Sequence, residues 1–528
     1  MAGYTLTVTY KSRTRAIESR AGENLLTILR NAGYDELSAP CGGNGTCKQC
    51  KIHVMGQVRL AAEPENIWEA DHEEILACRH MAAGDLTILI PATEKMEIVT
   101  TGATDIEPGG RGLGISVDIG TTTVAVFLYD LETGKLLNVE SGRNAQRPFG
   151  ADVISRIQFS AKEDGLARLM SAIREQINKA IDKLVKTAKR ERGEITRLSI
   201  AGNTVMEHIF ANLSPVTIGV APFTTLSLFG DVGPALEVFD GLAPEAELYM
   251  APALAGYVGG DITAGLLSSG AWLLEKSCLF IDIGTNGEMG IGDKDGFTCC
   301  ATAAGPAFEG AEIECGMDGS AGAIDKVFYR NGEIEFTVIG NVEARGVCGS
   351  GLIDALAAML RCGAVMESGR MVGPEDAPEN VADRIRRMED GSLRFYFTDK
   401  VYISSDDVRQ LQLAKSAIRG GIETLMNLRG KGYGDIDSVI IAGGFGAFMS
   451  VNSACAIGLL PPALGSKTRH VGNAAGAGAS LALVQGERDK LTALTAKCDY
   501  HELSSSQLFM DKYIEAMIFD EFEDVEAP

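Results

Sequence analysis

The 528-residue sequence is poor in basic residues, histidine and tryptophan: 48 Lys and Arg face 71 Asp and Glu for a net charge of −23, with 6 His and 2 Trp. A balance of that sign argues against nucleic-acid binding, which needs a basic face to neutralise phosphates. Long apolar runs are missing too. Gly, Asp, Asn or Lys interrupts every stretch before the roughly 18 residues that a membrane helix needs. The N-terminal MAGYTLTVTYKSRTR alternates like a strand and carries no continuous apolar segment before a cleavage site, so no signal peptide is expected. A soluble, cytoplasmic protein is the expectation, with no nucleic-acid or membrane partner. In that reducing compartment the 12 cysteines read as metal ligands or buried thiols rather than disulfides. The content that remains is ordinary for a globular chain, at 45% hydrophobic and 23% charged, and the length suits about three or four domain-sized units. Glycine stands out at 62 residues, which predicts many tight turns and close backbone approaches.

Four cysteines separate from the rest. Cys41, Cys47 and Cys50 lie in APCGGNGTCKQCKIHV and Cys78 follows in EEILACRH, a C-x5-C-x2-C-x27-C pattern. Around them TLTVTY, KIHVMGQV and DLTILIP read as strands and ENLLTILRNAGY as an amphipathic helix. Three thiolates on one glycine-rich loop and a fourth returning from a distant segment are the means of holding a [2Fe–2S] cluster. Gly42, Gly43 and Gly45 let the loop wrap the inorganic core and turn N–H groups toward sulfur. A tetrahedral zinc site could use the same cysteines, but a single C-x2-C pair disfavours it. The loop resembles the plant-type and adrenodoxin-type ferredoxins, and its five-residue first spacing is closer to the adrenodoxin side.

Past Pro91, periodicity fades into Gly, Thr and Pro, and residues 98–112 read as a linker that gives the small domain, 1–97, some freedom. Then GLGISVDIGTTTVAVFLYD reads as a hairpin whose turn carries Asp118, Gly120, Thr121 and Thr122. The construction recurs far downstream as SCLFIDIGTNGEMGIGD, with Asp282, Gly284, Thr285, Asn286 and Glu288. Two copies imply two similar halves facing one another, 113–270 and 271–528. In each turn the glycine leaves room for a phosphate at backbone N–H groups, hydroxyls donate to its oxygens, and the aspartate can hold Mg²⁺, through water. A third motif, SVIIAGGFGAF, places Gly443, Gly444 and Gly446 after an apolar strand, where bare backbone could seat a nucleoside. By contrast Gly465–Thr468, GSKT, lacks the spacing of a P-loop and reads as an ordinary loop.

The set resembles the actin, Hsp70 and sugar-kinase superfamily. That resemblance implies an α/β and α+β multidomain chain: an N-terminal β-grasp ferredoxin-like domain, then a duplicated RNase H-like ATPase fold with ATP between its halves. LSIAGNTVMEHIF and VGNAAGAGASLAL fall where that family has its connecting helices. More specifically, ADVISRI, AGNTVMEHIF, IDIGTNGEMG, AAGPAFEGAEIECGM, GVCGSGLIDALA, LQLAKSAIRGGIETLM and IAGGFGAF resemble the reductive activators of corrinoid enzymes. What this implies is an ATP-hydrolysing electron-transfer activator, which passes one electron from its cluster to a Co(II) corrinoid protein of a methyltransferase system and regenerates Co(I). An upstream low-potential donor and a homodimer belong to the same implication. Cys41, Cys47, Cys50 and Cys78 would ligate the cluster, Asp118 and Asp282 would organise Mg²⁺ and water, Thr121, Thr122, Thr285 and Asn286 would hold phosphates, and Gly443, Gly444 and Gly446 would seat adenosine. Asp261 and Glu288 are candidates for the general base, or equally cap and turn residues. Two departures stand out: the chain has no room for the further domain that some members carry after the ferredoxin, and Asn144–Gln146 lacks an expected Pro.

Other readings stay open. An activator of a radical dehydratase or aryl-CoA reductase would share the ATPase fold, although such proteins hold a [4Fe–4S] cluster between subunits. A redox sensor controlling a nucleotide-bound module is a third, and a sugar kinase would leave the ferredoxin idle. Glu309, Glu312 and Glu314 belong either to a switch loop facing the partner or to a glycine-rich connection. Cys299, Cys300, Cys348 and His208 read as core residues, and the acidic tail DEFEDVEAP as a solvated terminus.

Overall fold

The structure is a computed structural model describing residues 3–10, 13–19, 23–34, 37, 50–91, 104–310 and 312–519. Cys41, Cys47, the loop glycines, the first part of the expected linker and the acidic tail lie outside the described residues.

The N-terminal unit is a five-stranded sheet in the order β2-β1-β5-β3-β4, with one helix. It is built from β1 (Thr5–Tyr10), β2 (Arg13–Glu18), α1 (Leu25–Asn31), β3 (Lys51–Leu60), β4 (Ile67–Leu76) and β5 (His80–Leu89). Parallel pairing of β1 with β5 and antiparallel pairing of the rest give the β-grasp arrangement. Asn24 caps α1 by accepting from Thr27 N–H at 2.9 Å, and Leu25, Leu26, Ile28 and Leu29 pack into the core of the sheet. Within the stretch read as linker, residues from Thr104 onward lie along the next sheet. Ile106 is buried beside Phe127 and Tyr129, and its N–H donates to Gly134 O at 2.8 Å.

Two six-stranded sheets follow. The first uses β6 (Leu113–Ile119), β7 (Thr123–Asp130), β8 (Leu136–Arg143), β9 (Ile195–Gly202), β10 (Val232–Pro234) and β11 (Glu247–Met250) in the order β10-β11-β9-β6-β7-β8. Its helices are α2 (Val153–Ser160), α3 (Gly165–Thr187), α4 (Thr204–Phe210) and α5 (Gly260–Ser269). The second sheet starts with β12 (Cys278–Ile283), β13 (Gly287–Asp293) and β14 (Gly296–Thr302). Two small three-stranded sheets are then inserted: β15 (Ala323–Arg330), β16 (Glu333–Val338) and β17 (Gly346–Val347), and β18 (Ile385–Arg387), β19 (Leu393–Tyr396) and β20 (Tyr402–Ser404). Helix α6 (Gly349–Arg361) lies between them and α7 (Ser405–Leu428) follows them. The main sheet resumes with β21 (Ser438–Ala442), and α8 (Val451–Ala456), β22 (Thr468–Gly472), α9 (Ala474–Leu481), α10 (Gln485–Thr495), β23 (Cys498–Tyr500) and α11 (Gln507–Glu515) complete the chain. The sheet order is β22-β21-β12-β13-β14-β23.

In both sheets an antiparallel meander of three strands is extended by parallel strands on the side of its first strand. This is the duplicated RNase H-like plan. The central strands β6, β12 and β21 are buried on both faces, which is why their sequences are nearly continuous apolar runs. Helix α3 covers the first sheet with a stripe of Leu169, Ile173, Ile177, Ile181 and Leu184.

The halves meet where α5 crosses α9. A Cβ on Gly478 would stand 2.1 Å from Ala264 O, and one on Gly265 would stand 2.7 Å from Phe280 Cζ, so only small residues permit this approach. Ser480 Oγ, on α9, hydrogen-bonds Ser116 Oγ of β6 at 2.7 Å. One sequence expectation is corrected here. VGNAAGAGASLAL does form a connecting helix, α9, but LSIAGNTVMEHIF forms β9 and α4 inside the first half, and its place as connector is taken by α5.

Candidate functional site

Between the two large sheets lies a cavity of about 800 Å³. Both hairpin turns, the N-termini of α4 and α5 and the Gly443–Gly444 turn line it, bringing together Asp118, Gly120, Thr121, Thr122, Asp261, Asp282, Gly284, Thr285, Asn286, Glu288, Gly443 and Gly444. Gly446 is not among the lining residues; it is buried, and a Cβ there would stand 2.7 Å from Ile441 Cγ2.

Asp118 and Asp282 occupy matching places near the ends of β6 and β12, one residue before each turn closes. Enclosure pushes Asp118 up from its ordinary 3.8 to about 6, against the opposing hydrogen bond from Asn473 Nδ2 to its Oδ2 at 2.8 Å. Enclosure and the neighbouring Asp118 raise Asp282 to about 7. Asp261, in the first turn of α5, rises to about 8 through enclosure and repulsion from Asp282 and Asp118. Glu288, opposite Asp282 in the ladder, is buried and is likewise held well above its usual range. Four carboxylates converging in one recess repel each other as anions. A divalent cation there would relieve both the repulsion and the desolvation, and since among the described residues no three such groups stand close enough together to ligate an ion directly, they would meet it through water.

The turns are held by residues that motif reading did not single out. Asn203 caps α4 through Oδ1, which accepts from Met206 N–H at 3.0 Å, while its Nδ2 donates to Thr121 Oγ1 at 3.0 Å. Asn473 does the same for α9, accepting from Gly476 N–H at 2.7 Å while its Nδ2 holds Asp118. Each amide thus links a helix start to the first-half turn. The sequence signal was a Gly-Asn pair directly before a helical run, at 202–203 and at 472–473. Asn144, in the stretch lacking the expected Pro, donates Nδ2 to Gly120 O at 2.7 Å, and buried Arg156 donates to Thr121 O at 2.5 Å.

Gly443 has φ of +92°, and a Cβ there would stand 2.5 Å from Asp282 Oδ1, so a side chain would strain the turn and crowd the aspartate together. The next residues supply an aromatic wall: Phe445 stacks on Phe308 at 5.5 Å, and Phe448, 67% exposed, stands at the rim. Glu309 also lines the cavity, where its two carboxylate oxygens accept from Thr122 Oγ1 and Thr285 Oγ1, each at 2.8 Å. Of the other two glutamates, Glu312 is exposed and Glu314 accepts from Arg394 and Tyr402 outside the cavity.

In the N-terminal unit Cys50 and Cys78 are buried, at the start of β3 and just after β4, and are brought close by the hydrogen bond from Ala77 N–H to Cys50 O at 2.8 Å. Two buried cysteines on neighbouring segments, neither in a disulfide, are compatible with part of a cluster's ligand set; Cys41 and Cys47 lie outside the described residues. The readings of the remaining residues as core hold. Cys299, Cys300 and Cys348 are buried, and His208 accepts from Leu226 N–H at 3.1 Å while its Nδ1 lies 2.7 Å from Thr204 O. Lys467 of the GSKT loop donates to Tyr433 O and Ile436 O. Among the described residues no helix is long and apolar enough to cross a membrane.

Comparison with known proteins gives three consecutive family matches: a 2Fe-2S iron-sulfur cluster binding domain at residues 8–83, the RACo middle region at 113–272, and the C-terminal domain of RACo, the ASKHA domain, at 276–527. The middle-region profile thus falls on the first large sheet. The corrinoid activation enzyme RamQ of Eubacterium limosum is 35% identical, covering 92% of this chain and 94% of its own. A Co(II) methylated amine-specific corrinoid protein reductase of Methanosarcina barkeri is 25% identical over 76% of each. A solved structure of a reductive activator for corrinoid, iron-sulfur protein superposes with a TM-score of 0.68 at 30% identity, covering 98% of both chains.

Proposed function

The chain belongs to the RACo family of corrinoid activators, and on that premise we propose that it carries out ATP-dependent reductive activation of a corrinoid protein. One electron, drawn from a low-potential donor, returns an inactive Co(II) corrinoid to Co(I), and nucleotide hydrolysis in the cleft biases the transfer forward. The observation that carries this reading is the pairing, in one chain, of a cluster-binding domain with a duplicated two-turn cleft. When bound, a [2Fe–2S] cluster supplies a one-electron carrier, and Cys41, Cys47, Cys50 and Cys78 are its ligands. A tenfold shift in such a one-electron equilibrium needs about 59 mV, or about 1.4 kcal/mol, well within what nucleotide hydrolysis can supply.

In the cleft, Asp118 and Asp282 would hold Mg²⁺, which when bound would neutralise phosphate charge. Thr121, Thr122, Thr285 and Asn286 donate to phosphate oxygens, while Gly443 and Gly444 leave the backbone bare for adenosine. Asp261 or Glu288 takes the proton from the attacking water. Steady-state ATPase assays of D261N and E288Q separate them: loss of on the order of a hundredfold in kcat marks the base, and near-normal kcat in one variant removes that residue from the role.

The deciding experiment mixes the anaerobically reduced protein with a Co(II) corrinoid protein and follows Co(I) absorbance, with and without Mg²⁺ and ATP. Accumulation of Co(I) only with ATP, abolished in C47S, is the expected result. ATP hydrolysis with no Co(I) for any corrinoid protein tried would sink the proposal.

A further inference from the structure

We infer that Glu309 is an internal stand-in for a nucleotide phosphate: its carboxylate ties the two phosphate turns together, and a bound nucleotide displaces it and loosens the strap formed by residues 306–310 and 312–318. This rests on the nucleotide reading above.

The geometry is specific. Thr122, from the first-half turn, donates to one oxygen of Glu309, and Thr285, from the second-half turn, donates to the other, both at 2.8 Å. One carboxylate therefore satisfies hydroxyls from both halves of the molecule. Each hydroxyl has a single proton, so neither can donate at once to Glu309 and to a phosphate oxygen. A phosphate entering between the turns also brings negative charge against the carboxylate inside a poorly screened cavity. Glu309 and the phosphate thus compete for the same donors. Whatever free energy the tie contributes is withheld from nucleotide binding, and by linkage the nucleotide weakens the tie equally.

The strap extends the effect beyond the turns. At its far end Asp318 pairs with Arg143 of β8, a second tie to the first half. Between the ties, Met317 N–H donates to Val347 O and Val347 N–H to Cys315 O, which fastens the strap to β17. Glu314 accepts from Arg394 at 3.0 Å and from Tyr402 at 2.7 Å, and its own N–H donates to Asp407 at 2.9 Å, which joins the strap to the sheet of β18–β20 and the start of α7. Gly305 and Gly310, at φ of 79° and 75°, bracket the turn that carries Glu309, so the chain redirects on both sides without a Cβ clash. The turn that carries Glu309 is thus joined through the strap to β17, to the sheet of β18–β20 and to the start of α7.

Calorimetric titration with the Mg²⁺ complex of the imido analogue of ATP tests the competition. E309A should bind the analogue at least about fivefold more tightly than the unaltered protein. Equal or weaker binding by E309A, with the unaltered protein binding, overturns the inference and leaves the nucleotide reading standing. Binding by neither protein overturns both. Because E309A also removes a contact between the halves, hydrogen exchange of the unaltered protein gives a second test that needs no variant. Amides of residues 312–318 should exchange at least about fivefold faster when the analogue saturates the cleft, and unchanged or slower exchange there would refute the displacement.

Discussion

Asp118, Asp282 and Asp261 hold their protons more tightly in the folded chain than in the unfolded one, with values near 6, 7 and 8 against an ordinary 3.8. Stability from such groups is fully present below the ordinary value and is lost as pH rises through the folded values. The melting temperature of the cation-free protein is therefore expected to fall between pH 5 and 8, and D282N should flatten part of that fall. Parallel profiles for the two proteins in thermal scans would contradict this. Mg²⁺ with nucleotide should restore the loss, since it binds the ionised forms. The aspartates and turn hydroxyls were legible because the D-x-G-T pattern occurs twice, and a repeat carries its own confirmation. Asn203 and Asn473 were not, because an Asn after a Gly is ordinary helix-cap chemistry. That the same amide also reaches a turn on a different element is a tertiary fact. Glu309 stayed undecided for the same reason: its partners lie 187 and 24 residues away.

Small residues decide the packing of helices α5 and α9. With Ala264 O standing 2.1 Å from where a Gly478 Cβ would lie, G478V must push the helices apart or abandon the crossing. We expect a loss of at least about 2 kcal/mol in thermal or urea unfolding, with nucleotide affinity falling as well, since Asn473 caps the same helix and holds Asp118. A variant as stable as the parent would show that the crossing tolerates separation. The sequence marked α9 correctly through its Gly and Ala spacing, yet it assigned the partner role to the segment of β9 and α4. Two stretches rich in small residues compete for that role, and the pairing is fixed only when the parallel strands β9 and β11 fall into register. Local elements such as α1 and the strands of the hairpins needed no such information.

At the scale of the whole molecule, the duplicated plan followed from the repeated turn, and the order ferredoxin then ATPase from the cysteine spacing. The inserted sheets of β15–β20 were not anticipated: β17 to β20 have only two to four residues each, and the β15–β16 hairpin, though its Asn331-Gly332 turn is a local hairpin signal, repeats neither phosphate-turn motif. For the assembly we propose a homodimer. Sedimentation at micromolar concentration should then give twice the 55.9 kDa chain mass, and a single-chain mass would refute it. A net charge of −23 per chain opposes association, so the dimer is expected to strengthen with added salt. The crossing of α5 and α9 also bears on how the two halves can move. Backbone meets backbone at Gly478 and Ala264, and the side chains that bridge the junction, Ser268 to Ala474 O and Ser480 to Ser116, are short. Turning one half on the other about this point therefore freezes or releases few rotamers, and much of the energy of an open or closed cleft is left to the groups at its mouth and to whatever lies between them.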